Sequence, residues 1–290
     1  MTRREDRTMI KHPIHGISHA ILWVRDLEPA AERYRRLGFS LTQHYLHPKS
    51  VGTANYNAMF EDDYLELLTP LEKNERNLQR WARLDAEGDG LKDLSLATYD
   101  AEAAHAVVAS AGLDPLPVFD HHRPEGDDVA RFRLVYLPPD RLLPGLGIHV
   151  NQRVTPELMW RGQTTTHANG ARGIAGLVVV ADDPAALAAP FAVFFGNPAE
   201  AQGDGVLAVK AGKAVMRFAT PAAAARLFPG IVFKPKPPFG AVLEFRVDDP
   251  PQSAAWLAKQ GIACHRAPDG AVEVPPDEAC GALLRFVSSR

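Results

Sequence analysis

The side chains best suited to chemistry lie in short runs of strand-like sequence at His19, Glu66 and His149. Alternate residues of a β-strand share one face of the sheet. This rule puts His19 on the face opposite the one that a following helix would cover. It also puts Glu66 on the same face as Tyr64 and Leu68. We therefore expect these polar groups to project from the open face of a sheet.

Internal alignment adds a fourth group to this set. Glu66 and His149 belong to strands that close two copies of a repeated unit, so we expect them at related positions. Aligning Asp26 with Asp100, the aspartates that follow the opening strands, places Asp93 at the position of His19. The four side chains are therefore predicted to converge.

Imidazole and carboxylate groups together form a normal donor set for a divalent first-row metal. We predict one divalent metal ion, of type Zn, Fe, Mn, Ni or Co, held by His19, Glu66, His149 and Asp93. Asp93 has a second interpretation, in which it orients a ligand instead of binding the metal. Glu66 has a second predicted role as a catalytic base. A single His or Glu in a half-buried strand is more often structural, and the convergence is what favours metal binding.

Four more side chains are predicted to contact a substrate. Asn55 and Asn57 share one face of their strand, Trp23 shares the face of His19, and His121 lies near a strand end. Each has a simpler alternative. Polar rows on strands also meet water, a tryptophan commonly packs in a core, and a histidine at a strand end is commonly exposed.

The elements that must position these groups occur four times along the chain. Each copy is a β-rich run, an Asp, an Ala-rich helical segment and a Gly, followed by short strand candidates. The spacing from Asp to Gly is 12 or 13 residues, in the pairs Asp26–Gly38, Asp100–Gly112, Asp183–Gly196 and Asp249–Gly261. Asp is a good helix N-cap and Gly a good C-terminal residue. The repeated unit is therefore βαβββ.

One helix can cover only one face of such a unit, so two units side by side should curl into a cup with their helices outside. We predict an α+β protein in which four βαβββ modules pair into two cup-shaped, half-open β-barrels. The predicted divisions are a flexible tail at 1–12, a first domain at 13–153, a linker at 154–170 and a second domain at 171–290.

The second pair of copies carries no comparable donor set. The position of His19 falls there on small or apolar residues, namely Ala175 or Gly176 and Ala241 or Val242. Arg217 takes the position of Glu66, and Arg285 lies in the last strand. These arginines either bind an anion or form salt bridges, and the second is commoner. The chemistry is predicted to lie in the first half.

The sequence resembles the vicinal oxygen chelate superfamily and, within it, the glyoxalase-like domain proteins. The resemblance is carried by His19, Gly52-Thr53-Ala54-Asn55, Tyr64-Leu65-Glu66-Leu67 and His167-Ala168-Asn169-Gly170-Ala171. It implies paired βαβββ modules and a divalent metal at the positions of His19, Glu66 and His149. It also implies chelation of a substrate through neighbouring oxygens, as in glyoxalase I, extradiol dioxygenases, an epimerase and drug-resistance proteins.

Composition limits the partners. The chain has 290 residues, 46% of them hydrophobic, and a formal net charge of -3 without long basic runs, which argues against a nucleic-acid surface. No apolar run approaches the ~20 residues of a membrane span. Two cysteines, Cys264 and Cys280, indicate a reducing compartment. We expect a cytoplasmic protein with a small-molecule substrate and no nucleic-acid or membrane partner; a homodimer stays open.

Three functions compete at this stage. The first is a metal-dependent enzyme of lyase, isomerase or dioxygenase type acting on a small oxygenated substrate. The second is a protein of the bleomycin-resistance type that binds a drug or metabolite without turnover. The third is a scaffold that has lost its chemistry.

Overall fold

The structure, a computed structural model, describes residues 12–138, 141–143 and 146–289. Residues 1–11 of the predicted flexible tail lie outside the described residues.

Each of the four modules consists of a strand, a helix and three further strands. The first contains β1 (Ile14–Trp23), α1 (Leu27–Arg36), β2 (Tyr45–Leu46), β3 (Thr53–Met59) and β4 (Tyr64–Pro70). Helix α2 (Glu75–Glu87) leads to the second, which contains β5 (Gly90–Thr98), α3 (Ala101–Ser110), β6 (Phe119–Glu125), β7 (Asp128–Tyr136) and β8 (Gly147–Arg153). Short helix α4 (Pro156–Trp160) follows.

The second half repeats this plan. The third module contains β9 (Ala171–Val180), α5 (Pro184–Phe195), β10 (Ala199–Ala201), β11 (Val206–Ala211) and β12 (Ala214–Ala219). Helix α6 (Pro221–Leu227) precedes the fourth, which contains β13 (Phe239–Val247), α7 (Pro250–Lys259), β14 (His265–Arg266), β15 (Val272–Val274), a 3-10 turn (Pro276–Glu278) and β16 (Leu283–Ser288).

The strands pair as two cups. In the first half the order is β2-β3-β4-β1-β5-β8-β7-β6, with β1 and β5 antiparallel at the centre. The second half has the order β10-β11-β12-β9-β13-β16-β15-β14, with β9 and β13 at the centre. The predicted α+β fold of four βαβββ modules in two half-open barrels is confirmed.

The repeated Asp and Gly residues mark the helix ends. All four aspartates occupy the N-cap position, and Asp100 and Asp183 accept hydrogen bonds from backbone N–H groups of the first turn. The four glycines have φ values of 93°, 77°, 62° and 67° (Gly38, Gly112, Gly196, Gly261). This left-handed region favours glycine, so the spacing in the sequence reflects helices of nearly constant length.

The two halves share one core. Apolar residues of both central strand pairs belong to a single buried cluster, and the Phe39 and Phe245 rings lie 5.0 Å apart across the halves. The mid-chain His167 is buried at the junction: Nδ1 accepts from Ser40 N–H (3.0 Å) and Nε2 lies 2.9 Å from the Met59 carbonyl oxygen. Both ring nitrogens are thus used structurally.

Asp63 ties the turn between β3 and β4 to the second half. Its side chain, 5% exposed, accepts from Ile174 N–H (3.0 Å) and lies 3.5 Å from Arg246. Burial is the main cause that raises the pKa of Asp63 from 3.8 to about 6, although Ile174 and Arg246 oppose it.

A group whose pKa is raised on folding stabilises the protein below its unfolded pKa, and that contribution disappears as pH rises through the folded value. Between about pH 4 and pH 7, Asp63 is therefore expected to remove roughly 2–3 kcal/mol from the free energy of unfolding. Asp63→Asn should lack this loss, measured by urea unfolding at both ends of the range. The exposed Asp204, changed to Asn, serves as control; an Asp63→Asn profile parallel to that of the wild type would contradict the prediction.

No helix in the described ranges is both long and apolar enough to pass through a bilayer.

Candidate metal and substrate site

A cavity of about 1200 Å³ occupies the concave face of the first cup. All eight candidate residues from the sequence line it: His19, Trp23, Asn55, Asn57, Glu66, Asp93, His121 and His149. The structure therefore brings together side chains that are up to 130 positions apart (His19 to His149) in the sequence.

Strand register explains the convergence. Ile21 pairs with Glu66 between β1 and β4, and Ser95 pairs with His149 between β5 and β8. Between β1 and β5, His19 pairs with Ser95 and Ile21 pairs with Asp93. These pairings obey a twofold relation in which His19 corresponds to Asp93 and Glu66 corresponds to His149.

His19 lies at the centre of what we call the polar wall, the side of the cavity formed by His19, Glu66 and His149. Its Nε2 lies 3.6 Å from Oε2 of Glu66, and its ring centroid lies 5.7 Å from that of His149. Tyr64 stacks on the imidazole with centroids 4.2 Å apart and planes 10° apart, which fixes the ring. The Ser18 hydroxyl lies 3.1 Å from Nδ1 of His19, so it can accept a hydrogen bond from an Nδ1–H group and leave Nε2 free for a ligand bond.

Burial sets the protonation states of the wall. It lowers the pKa of His19 well below its usual value, assisted by the charges of His149 and Arg153. Burial, with Arg80, likewise lowers the pKa of His149 to about 4. Both imidazoles are thus neutral at pH 7, which is the form that binds metals.

Glu66 shows the opposite shift for the same reason. Burial raises its pKa from 4.5 to about 7, while a hydrogen bond from Asn55 Nδ2 to Oε1 (2.5 Å) opposes the rise. The charges of Arg123 and Arg80 also oppose the rise, and the pKa stays raised, so the charge of this 6% exposed carboxylate is only partly compensated.

Asp93 is held differently from the other three. Its Oδ2 accepts a hydrogen bond from Trp23 Nε1 (2.8 Å), and it also accepts from the backbone N–H of Gly147. A Cβ atom on Gly147 would collide with the Asp93 carboxylate. These contacts favour the interpretation that Asp93 supports the site; that it binds a metal stays a prediction.

The cavity also holds polar atoms that lack partners. Three buried side-chain oxygens of its lining have no hydrogen-bond partner among the described residues, namely Oδ1 of Asn55, of Asn57 and of Asn151, and Oγ of Ser95, outside the lining, lacks one as well. Ser95 pairs in register with both His19 and His149, so this oxygen lies beside the donor set. Buried unsatisfied groups of this kind are uncommon in native proteins and point to a polar ligand.

The donor set suits a divalent cation in its chemistry. His19 and His149 are neutral imidazoles, and Glu66 is a buried carboxylate on the same wall. As arranged, no group of three His, Cys, Asp or Glu side chains within the described ranges is close enough for joint ligation. The metal site therefore stays a prediction that rests on residue types, burial and neighbouring unsatisfied oxygens.

Helix α2 is a part of the site that the repeat pattern could not reveal. It lies between the first and second modules and contributes Arg80 and Arg83 to the cavity wall. Both guanidinium groups lie over the Trp23 ring, with Cζ atoms 5.4 Å and 5.0 Å from its centroid. The sequence feature that could have indicated this helix is Asn74, whose side chain caps the helix by accepting a hydrogen bond from Asn77 N–H.

The corresponding positions in the second cup carry charged pairs. Arg217 pairs in register with Val178, and Arg285 with Glu244. Their guanidinium groups bind the two oxygens of Glu244 at 2.7 Å and 2.5 Å. Gly176, at the position of His19, leaves room for that carboxylate, since a Cβ there would lie 3.0 Å from Glu244 Oε2. Of the two interpretations of these arginines, anion binding and salt bridges, the contacts show salt bridges.

In the comparison with protein families, the model of the glyoxalase-like domain matches residues 17–194. No curated protein matches the chain in sequence.

Solved structures show the same fold at low identity. A hypothetical protein from Staphylococcus aureus has a TM-score of 0.63 and 14% identity, over 94% of this chain and 98% of that one. A mutant 4-hydroxymandelate synthase from Streptomyces coelicolor has a TM-score of 0.63 and 15% identity, over 95% and 93% of the two chains. A fusion protein of a xylose isomerase-like TIM barrel and 4-hydroxyphenylpyruvate dioxygenase has a TM-score of 0.58 and 14% identity, over 96% and 49%.

Proposed function

This chain belongs to the glyoxalase-like domain family of the vicinal oxygen chelate superfamily, and we propose that it is a divalent-metal-dependent enzyme acting on a small oxygenated substrate in the first cup. We further propose that His19, His149 and Glu66 hold the metal and that the reaction is a proton transfer of the lyase or isomerase type.

The observation that carries the proposal is the state of the polar wall. One buried and one half-buried imidazole with lowered pKa values (His19 and His149) and one buried carboxylate face the same cavity at positions related by the repeat. Burying a carboxylate whose charge is only partly compensated is unfavourable, so these residues are better explained by a ligand than by packing.

When bound, a divalent cation would supply Lewis-acid stabilisation of negative charge on substrate oxygens. The protein's own residues supply the remainder. Glu66, with a pKa of about 7, is near the optimum for accepting and returning a proton at neutral pH. Asn55 holds its carboxylate in place, while Oδ1 of Asn57 and of Asn151 can accept hydrogen bonds from substrate hydroxyl groups.

Dioxygenase chemistry is a second candidate, and one observation favours it. Two histidines and one carboxylate are the residue types of the facial donor set used by non-haem iron oxygenases. One structural neighbour, a fusion protein, carries 4-hydroxyphenylpyruvate dioxygenase in its name, and another is named a 4-hydroxymandelate synthase. Their likeness concerns the fold, so the names serve here to choose trial substrates.

Metal analysis tests the proposal. Protein purified without added metal, or titrated with Zn²⁺, Fe²⁺, Mn²⁺, Ni²⁺ or Co²⁺, is expected to bind one equivalent per chain. His149→Ala should reduce the affinity by at least the roughly 10–100-fold caused by changes to the outer partners of metal sites. The control is His122→Ala, since His122 lines the same cavity but is exposed.

Activity assays then separate the candidate functions. Turnover of glutathione hemithioacetals without oxygen uptake would support the lyase or isomerase, and oxygen uptake with catechols or 2-oxo acids would support the oxygenase. Tight binding of such a compound without turnover by the metal-loaded protein would support the alternative of a drug- or metabolite-binding protein. Absence of metal at all concentrations tested would refute the proposed function.

A further inference from the structure

Helix α2 places two arginines in the wall of the cavity, beside Trp23. Arg80 and Arg83 are separated by one helical turn, so they lie on the same face of the helix. Their guanidinium groups both lie over the Trp23 ring, and the Trp23 Nε1–H is itself anchored on Asp93. Stacking on a fixed aromatic ring holds these cations in place before any ligand arrives.

Charged side chains of both signs surround this pair. Arg80, Arg83 and Lys92 are the cations at this place, and Glu87 and Asp93 are the acids. Glu87 lies 2.5 Å from Lys92 Nζ and 3.8 Å from Arg83, so it is shared between two cations. Both arginines therefore stand in a network of charged groups at the wall of the cavity, to which Glu66 also belongs.

Arg80 acts on the centre of the cavity as well as on its rim. Burial is the main cause of the pKa shifts of Glu66, Asp93 and His149, and the charge of Arg80 is a further cause that lowers all three values. Arg80 lines the same cavity as these three side chains, so a ligand bound there would lie within reach of its charge.

Apolar side chains also line the cavity. Phe132 and Leu134 are 7% and 6% exposed, and both line the cavity from β7. A molecule that fills this space would meet both the arginine side chains and an apolar surface. This pattern suits an amphipathic anion.

We propose that the substrate carries a carboxylate and an apolar body, and that Arg80, supported by Arg83, binds the carboxylate. A guanidinium group presents a planar fork of N–H donors that matches the two oxygens of a carboxylate. The inference rests on the proposed function, because it names the class of substrate for the same cavity.

The test compares two probes that differ in charge, 2-naphthoate and 2-naphthamide, by isothermal titration calorimetry. Wild-type protein is expected to bind the carboxylate more tightly than the amide by about tenfold. Arg80→Gln should remove most of this preference and leave the amide affinity unchanged. Arg80→Lys, which keeps the charge but not the fork, should retain part of it.

The matched control is Arg141→Gln. Arg141 also lines the cavity, but it is exposed and pairs with Asp114 at 2.8 Å, so the preference should not change. Circular dichroism and thermal unfolding check that each variant is folded. Should Arg80→Gln be unfolded, Arg83→Gln provides the same comparison.

Titrations of chelator-treated and zinc-loaded protein separate this inference from the proposed function. A preference for 2-naphthoate that depends on Arg80 in metal-free protein supports the inference even if no metal ever binds. Equal affinities for carboxylate and amide would overturn the inference. A preference that is lost when the metal is removed and is unchanged in Arg80→Gln would overturn it as well.

Discussion

Glu66→Gln is expected to abolish stoichiometric metal binding and at the same time to stabilise the metal-free protein at pH 8. The carboxylate is 6% exposed and its pKa is raised to about 7, chiefly by burial. Glutamine keeps the shape and the acceptor oxygen for Asn55 but removes the charge. A residue that is unfavourable for folding and needed for the ligand is typical of a functional site.

The sign of the pH effect follows from the raised pKa. The neutral form of Glu66 stabilises the folded state below about pH 4.5, and this contribution is lost as pH rises through about 7. Wild-type protein without metal should therefore lose roughly 2–3 kcal/mol over this range, and Glu66→Gln should not. Urea unfolding of chelator-treated protein at pH 4.5 and pH 8 measures the difference.

Metal binding is expected to reverse the order of stability of the wild type and Glu66→Gln. A divalent cation binds the ionised carboxylate, so zinc-loaded wild type should become more stable than the variant at pH 8. Asp120→Asn is the control, because Asp120 lines the same cavity but is exposed. Equal metal affinity in wild type and Glu66→Gln would remove Glu66 from the donor set. A variant less stable than metal-free wild type at pH 8 would show that the charge is compensated by other groups.

The repeat made most of the fold and the polar wall predictable. Helix length, strand alternation and the alignment of Asp26 with Asp100 are local or periodic properties, and the sheet preserves them. The twofold relation of the two modules then carries His19 onto Asp93 and Glu66 onto His149, as the strand register shows. Periodicity of this kind survives folding because one residue of slippage would turn every side chain to the wrong face.

Other features depend on contacts that no periodic pattern encodes. Helix α2 occurs once, so alignment of the modules passes over it, although it supplies Arg80 and Arg83 to the cavity. The bond between Trp23 and Asp93 joins neighbouring strands through side chains whose rotamers the sequence does not reveal. The shared core also decides the role of His167, because both of its nitrogens meet backbone groups brought close by the junction of the halves.

Arg285→Met is expected to lower the free energy of unfolding by roughly 3–5 kcal/mol, because it leaves buried carboxylates without their main cation. Arg285 is 8% exposed and binds Glu244 (2.5 Å), Glu273 (2.8 Å) and Asp269 (2.5 Å). Glu244 and Glu273 are 4% and 1% exposed, so water cannot replace the guanidinium. Equilibrium unfolding in urea measures the effect.

The exposed pair of Arg172 and Asp248 supplies the matched control, since Arg172→Met should change the stability by less than about 1 kcal/mol. The double variant Arg285→Met, Glu244→Gln should lose less stability than the sum of the losses in the two single variants. The reason is that Glu244→Gln removes one of the charges that Arg285→Met leaves uncompensated. Full additivity would mean that Arg285 acts through packing alone.

Metal binding distinguishes the two halves in the same experiment. The positions that hold imidazole and carboxylate in the first cup hold guanidinium groups in the second, where Arg217 and Arg285 neutralise Glu244 from within the protein. The Arg285→Met protein, where folded, is therefore expected to keep the metal stoichiometry and affinity of the wild type. A changed metal affinity in this variant would instead mean that the charge network of the second cup influences the cavity of the first through their common core.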